Sequence, residues 1–196
     1  VNGNVVDAQS AFEQALAYNP DDVVNLNNLA LTQLINKRYA DAITSFENVH
    51  RANPDNHTWL LNLADAYQLH GDNEAANALY QQLIDQHKDS GMTNERLRHL
   101  AQSYTHIGDI NNALRALQQL EMVDGAHVET RYTAAIVHTR ANNIASALLA
   151  VDSALKSGMH SVWFELEWFD VLCSHTDFEQ IMRSAGAPYR CSPLTQ

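Results

Sequence analysis

The sequence predicts an all-α fold of stacked helix–turn–helix repeats, a solenoid closed at its C-terminal side by a pair of capping helices. Three features point there. Small residues recur at a near-constant interval, with Ala8, Ala42, Ala76, Ala113 and Ala147 spaced 34, 34, 37 and 34 residues apart. A large or apolar side chain follows each by four residues (Phe12, Phe46, Tyr80, Leu117, Val151) and an apolar one by seven (Ala15, Val49, Leu83, Leu120, Ala154), which puts all three on one helical stripe. After Gly158 the pattern gives way to Ser161–Leu172, apolar almost all round, as the cover for the open end of a stack must be.

In order, residues 1–158 form the array: a partial repeat at 1–20 whose helix spans 4–18, then full repeats at about 21–54, 55–88, 92–125 and 126–158. In the first helix of these units Leu29-Ala30, Leu63-Ala64 and Leu100-Ala101 fall at matching offsets, with Tyr67 and Tyr104 three residues after the alanine. Gly71 and Gly108, each followed by Asp, occupy the inter-helix turn, where glycine ends a helix in the left-handed conformation. Pro20 and Pro54 close the second helix of their units, and the Asp after each signals a new helix start. Three extra residues near Lys88–Gly91 lengthen one inter-repeat loop, as a surface insertion does. Residues 159–196 form the cap and a short polar tail from Ala187. Its second helix runs over Cys173–Ser184, with Phe178, Ile181 and Met182 on one face and Thr176 to Glu179 reading as a capping box. The aromatics of 161–172 also offer a surface for a homo-oligomer.

With its 34-residue period, Leu-Ala-x-x-Tyr block, Ala-x-x-x-Phe block and closing Pro, the chain resembles the tetratricopeptide repeat family over roughly residues 3 to 158. Gln33 and His138 stand where the tyrosine belongs, and the third and fourth full units lack the proline. The resemblance implies a right-handed superhelix whose first helices line a concave groove that holds an extended peptide or a partner helix. At the family's groove positions stand Asn27, Leu61, Arg98 and Tyr132, then Asn28, Asn62, His99 and Thr133, then Leu31, Asp65, Gln102 and Ile136. The residues expected to bind a protein or peptide are therefore Asn27, Asn28, Asn62, Asp65, Arg98, His99, Tyr132 and Thr133. The amides can pair with peptide N–H and C=O together, or satisfy backbone groups of the repeat itself. Where chaperone-tail-binding members place the Lys and Arg of a carboxylate clamp, this chain has Asn27, Leu31, Asn62, Glu95 and His99, so that subclass is not expected.

Other chemistry is not expected. The formal charge is −11, with 23 acidic residues against 12 Lys and Arg, which disfavours nucleic acid and anionic membrane surfaces. No apolar run reaches the length of a membrane span. The ten histidines show no His-x-x-x-His or His-Glu-x-x-His spacing, and there is no nucleophile elbow and no phosphate-binding glycine loop. No metal, cofactor or catalytic residue is therefore predicted. Asn56-His57-Thr58 matches a glycosylation acceptor at a helix start. Cys173 and Cys191, 18 residues apart, fit either a disulfide in an oxidising compartment or two free thiols. Few lysines, many amides and the late cysteine pair lean towards a bacterial periplasm or cell envelope. The first residue, Val1, enters just before a second helix, so an N-terminal remainder is expected.

The functional expectation is a non-catalytic protein-binding module within a larger assembly. The alternatives are a scaffold that self-associates through its ends, or the regulatory array of an enzyme whose catalytic domain lies elsewhere.

Overall fold

The structure, a computed structural model, describes residues 2–88, 91, 93–187 and 191, with side chains from residue 5 onward. Every regular element among the described residues is helical. The chain divides into two compact units, Val1–Asp89 and Ser90–Gln196, and the division falls in the loop that the sequence lengthens. Asp89, Ser90 and Met92 of that loop lie outside the described residues, as does most of the tail after Ala187.

The first unit holds α1 (Asn2–Tyr18), α2 (Val23–Ile35), α3 (Tyr39–Ala52), α4 (His57–His70) and α5 (Asn73–His87). Each packs on the next in chain order, and α2 also meets α4. The second unit holds α6 (Asn94–His106), α7 (Ile110–Asp124), α8 (Val128–Arg140) and α9 (Ile144–Lys156), packed in the same way, with α6 also against α8. These are consecutive helix pairs, as the stripe pattern requires. Ala42, Phe46 and Val49 on α3 are buried, as are Ala76, Tyr80 and Leu83 on α5, Ala113, Leu117 and Leu120 on α7, and Ala147, Val151 and Ala154 on α9. On α1 the equivalent Ala8, Phe12 and Ala15 are half-buried.

The cap differs in its first half from the expected α-helix. Ser161–Glu165 and Glu167–Ser174 are two 3-10 helices separated by Leu166, whose backbone is extended (φ −73°, ψ 147°). A stretch apolar on every side has no single face to lay down. Breaking it at Leu166 lets Phe164, Leu166, Phe169 and Leu172 all turn inward. The last helix, α10 (Thr176–Ser184), follows and packs on α9 and on Glu167–Ser174.

Three helix starts depart from the sequence expectation. Pro20-Asp21 and Pro54-Asp55 form turns, so the N-caps come one residue later. Asp22 Oδ1 accepts the Asn25 N–H at 3.0 Å, and Asn56 Oδ1 accepts that of Trp59 at 3.1 Å. The acceptor asparagine of the glycosylation triplet is thus a helix cap. α10 begins at Thr176 itself, behind His175, with no side-chain cap bond. Because the 3-10 helix runs to Ser174, only extended His175 joins the two elements, and no capping box forms.

The inter-helix turns share one feature that the sequence shows only in part. Gly71 and Gly108 are left-handed, with φ of 92° and 87°, and the equivalent positions in the other two pairs hold Lys37 at 61° and Asn142 at 58°. The turn needs positive φ whichever residue stands there, and glycine adopts it without steric cost. A Cβ on Gly71 would meet nothing within 4 Å, so substitution there tests backbone strain alone. Gly71→Ala is expected to destabilise the chain by about 1–2 kcal/mol, and Gly71→Asn by less, because asparagine tolerates this region. Urea unfolding of both variants checks the order.

Candidate functional site

In the first unit, α2 and α4 lie side by side and an amide chain runs across them. Asn62 Nδ2 donates to Asn27 Oδ1 at 3.4 Å, and Asn27 Nδ2 donates to Asn28 Oδ1 at 3.5 Å. Both bonds are long, and each amide has two donor hydrogens and two acceptor lone pairs, so capacity remains for a ligand. Asn27 is buried, while Asn28 and Asn62 are half-buried and offer that capacity at the surface.

Asp65 stands three residues along α4 from Asn62. Its Oδ1 accepts the Tyr80 hydroxyl at 2.7 Å, while Gln68 Oε1 lies 3.0 Å from the same hydroxyl. A phenol has one hydrogen to give, so two acceptors compete for it. A proton on Asp65 removes the conflict, with the acid donating to Tyr80 and Tyr80 donating to Gln68. Burial pushes the Asp65 carboxyl up to about 7, against the lowering effect of the Tyr80 hydrogen bond. Sequence reasoning placed Tyr80 only in the packing stripe. The signal was a tyrosine where the equivalent positions hold Phe12, Phe46, Leu117 and Val151, because a buried hydroxyl needs a partner.

In the second unit, Gln102 Nε2 donates to Thr133 Oγ1 at 2.9 Å, tying α6 to α8. Thr133 is 0% and His99 2% exposed, so both are interior groups. Tyr132 is 8% exposed, its ring 5.6 Å from Phe164, 6.0 Å from Phe169 and 6.2 Å from Trp163. It was expected on an open face, and its place in this cluster corrects that expectation. The segment Glu167–Ser174 packs on α8, so a position that would face a groove becomes core. The same inward packing occupies most aromatics proposed for self-association, leaving Val171 as the exposed large apolar residue of that stretch. Arg98 is half-buried, and its Nε makes no hydrogen bond. The predicted residues that keep surface for a ligand are therefore Asn28, Asn62 and Asp65 in the first unit and Arg98 in the second.

Two devices close the second unit. His106 is buried with its ring 5.3 Å from that of Trp168. Burial holds its pKa down at about 3, and the positive charge of Arg140 acts in the same direction. Cys173 and Cys191 are joined in a disulfide, Cα–Cα 5.3 Å, which ties the end of the 3-10 segment to the chain beyond α10. Among the described residues no cluster of three or more His, Cys, Asp or Glu is placed to hold a metal, and no helix is long and apolar enough to cross a membrane.

Comparison with known proteins places this geometry. One family model, Tetratricopeptide repeat, matches residues 33–102, and a second of the same description matches residues 1–57. Together they span more than half of the 196 residues. The chain belongs to the tetratricopeptide repeat family. Repeats of this family are generally protein-interaction modules, typically non-catalytic, that bind protein or peptide partners. No curated protein matches the chain in sequence. Among solved structures, a human IFIT1 dimer with m7Gppp-AAAA is 16% identical, with a TM-score of 0.63 over 94% of this chain and 46% of that one. The chain thus spans less than half of that protein. TTC0263, a thermophilic tetratricopeptide repeat protein of Thermus thermophilus, is 19% identical, with a TM-score of 0.52 over 84% of this chain and 83% of that one. Both likenesses concern the fold.

The two closing devices give separate predictions. With the folded pKa of His106 below its unfolded value, its contribution to stability is complete above about pH 6.5 and declines as pH falls towards 3. Between pH 7 and 5 the wild type is expected to fall by about 2 kcal/mol relative to a His106→Phe variant, as read by denaturant unfolding of both at the two pH values. Reduction of the Cys173–Cys191 bond opens a loop of 18 residues and should lower stability by about 2–3 kcal/mol. Melting with and without reductant, against a Cys173→Ser/Cys191→Ser control, checks it.

Proposed function

We propose that this tetratricopeptide repeat chain is a non-catalytic binding module that holds an extended peptide or protein segment on its first-helix faces. Asn28, Asn62 and Asp65 are the ligand contacts of the first unit, and Arg98 is a separate contact of the second. The observation that carries this reading is the amide chain Asn62–Asn27–Asn28. Its long bonds and half-exposed ends suit pairing with a peptide backbone, which gives affinity with little sequence demand. Arg98 adds a half-buried guanidinium, a forked donor suited to a carboxylate or a backbone carbonyl. The disulfide supports an oxidising compartment, consistent with a bacterial envelope protein.

A displayed random-peptide library selected on the intact chain supplies ligands for the test. For a selected peptide, an Asn28→Ala/Asn62→Ala/Arg98→Ala protein is expected to bind at least about tenfold more weakly while keeping the wild-type far-UV spectrum. Unchanged affinity in the folded triple variant would remove the first-helix faces as the site.

A further inference from the structure

The first unit carries a second surface, on α3, α4 and α5 and away from the amide chain. It is a groove of about 710 Å³, with Leu63 and Tyr67 of α4 beside Ala75, Ala78 and Leu79 of α5 and Pro54 at one end. That volume lies in the range of ligand clefts, and the lining is mainly apolar.

Its rim is acidic. Glu47 lines the groove and accepts the Tyr67 hydroxyl at 2.6 Å. That bond, burial, and the charges of Glu47 and Asp72 push the Tyr67 hydroxyl up to about 12, so both carboxylates act at this end. Asp55 follows Pro54 and Glu74 precedes Ala75, and both are exposed. His50 and Arg51 also line the groove, and the Arg51 guanidinium, bonded to the neutral Asn48 amide at 2.7 Å, keeps its positive charge beside Glu47. The unit as a whole holds 12 of the 23 acidic residues and only 4 of the 12 Lys and Arg. Two of those cations, Arg38 and Lys88, are paired with Asp41 and Asp85, each three residues away.

The second unit supplies an internal control. The same groove recurs there 71 residues later, Gly125, Ala134, His138, Ser146, Leu149 and Ala150 standing for Pro54, Leu63, Tyr67, Ala75, Ala78 and Leu79. It is smaller, about 310 Å³. At the positions of Glu47, Asp55, Asp72 and Glu74 it has Gln118, Ala126, Asn143 and Ala145, while Glu121, at the position of His50, and Arg131 line it. The fold therefore tolerates neutral residues at all four positions, and the negative rim of the first unit is not required by the packing.

We propose that the α3–α4–α5 groove of the first unit is a docking surface for a cationic amphipathic peptide segment, which lays apolar side chains over Leu63, Ala78 and Leu79 and sets Lys or Arg against Glu47, Asp72 and Glu74. The apolar floor supplies burial, and the rim rejects acidic segments of the same shape. The surface is distinct from the amide face and is open to occupation at the same time.

The test uses the intact chain and a fluorescein-labelled Leu/Lys amphipathic peptide about four helical turns long, read by anisotropy. Two twins accompany it, one with Glu for every Lys and one with Ser for every Leu. The Leu/Lys peptide is expected to bind, more weakly as salt rises, and neither twin to bind within about tenfold of it. Ala78→Trp, which fills the groove from an exposed position, and Glu47→Gln/Glu74→Gln are each expected to weaken binding about tenfold with the far-UV spectrum unchanged. Asn62→Ala is expected to leave it unchanged. Absence of binding overturns the proposal, as does equal binding of the Leu-free twin, which would mark diffuse charge attraction. Loss in Asn62→Ala with full binding in folded Ala78→Trp also overturns it, by moving the peptide to the amide face.

Discussion

Four alanines that leave no room beside them hold the helix pairs together. Ala42, Ala76, Ala113 and Ala147 are buried to within 1% of complete, each where a second helix crosses the first helix of its pair. A methyl group lets two backbones approach closely, and added carbons at such a contact typically cost about 1–3 kcal/mol. The approach fixes the depth available four residues later, where Phe46, Tyr80, Leu117 and Val151 are enclosed. The functional chemistry inherits this spacing. Tyr80 reaches Asp65 and Gln68 because α5 is held so near α4.

What could be read from the sequence follows from what is local. The stripe was legible because a period of four and seven residues describes one helix face whatever lies opposite. The left-handed turn was legible at Gly71 and Gly108 but silent at Lys37 and Asn142, where residues with no obligatory conformational signature adopt the same backbone. Helix starts were placed one residue early because the proline turn takes Asp21 and Asp55 for itself. Tyr132 was misjudged for a non-local reason. Its exposure is decided by Trp163, Phe164 and Phe169, some thirty residues on, and repeat register carries no information about what covers the last first helix. The 3-10 segment was legible as apolar, but not in its conformation, because side chains apolar on every face specify no period.

Surface chemistry and core are separately encoded here. The two units reproduce one another's buried alanines and apolar stripes, yet they differ in charge at matching rim positions, Glu47 against Gln118 and Asp72 against Asn143. Their buried titratable groups also respond to acid in opposite senses. The raised carboxyl of Asp65 favours the folded first unit when protonated, whereas the lowered imidazole of His106 favours the folded second unit when neutral. No single pH therefore suits both buried groups fully.

The spacing of the alanines divides the chain into parts of fixed and of free length. From first-helix to second-helix alanine the interval is 12 residues in every pair: Ala30 to Ala42, Ala64 to Ala76, Ala101 to Ala113, Ala135 to Ala147. From one pair to the next it is 22, 25 and 22 residues. A turn closed through one left-handed residue cannot lengthen without rotating its second helix off the alanine, whereas the segment joining pairs has already accepted three additional residues. Added loop length costs little when the ends are not locked in register. The joint near Gly91 is thus where an inserted domain, an epitope or a new pair of termini would be accommodated. The same insertion after Gly71 would separate Ala76 from its partner helix and unmake the repeat.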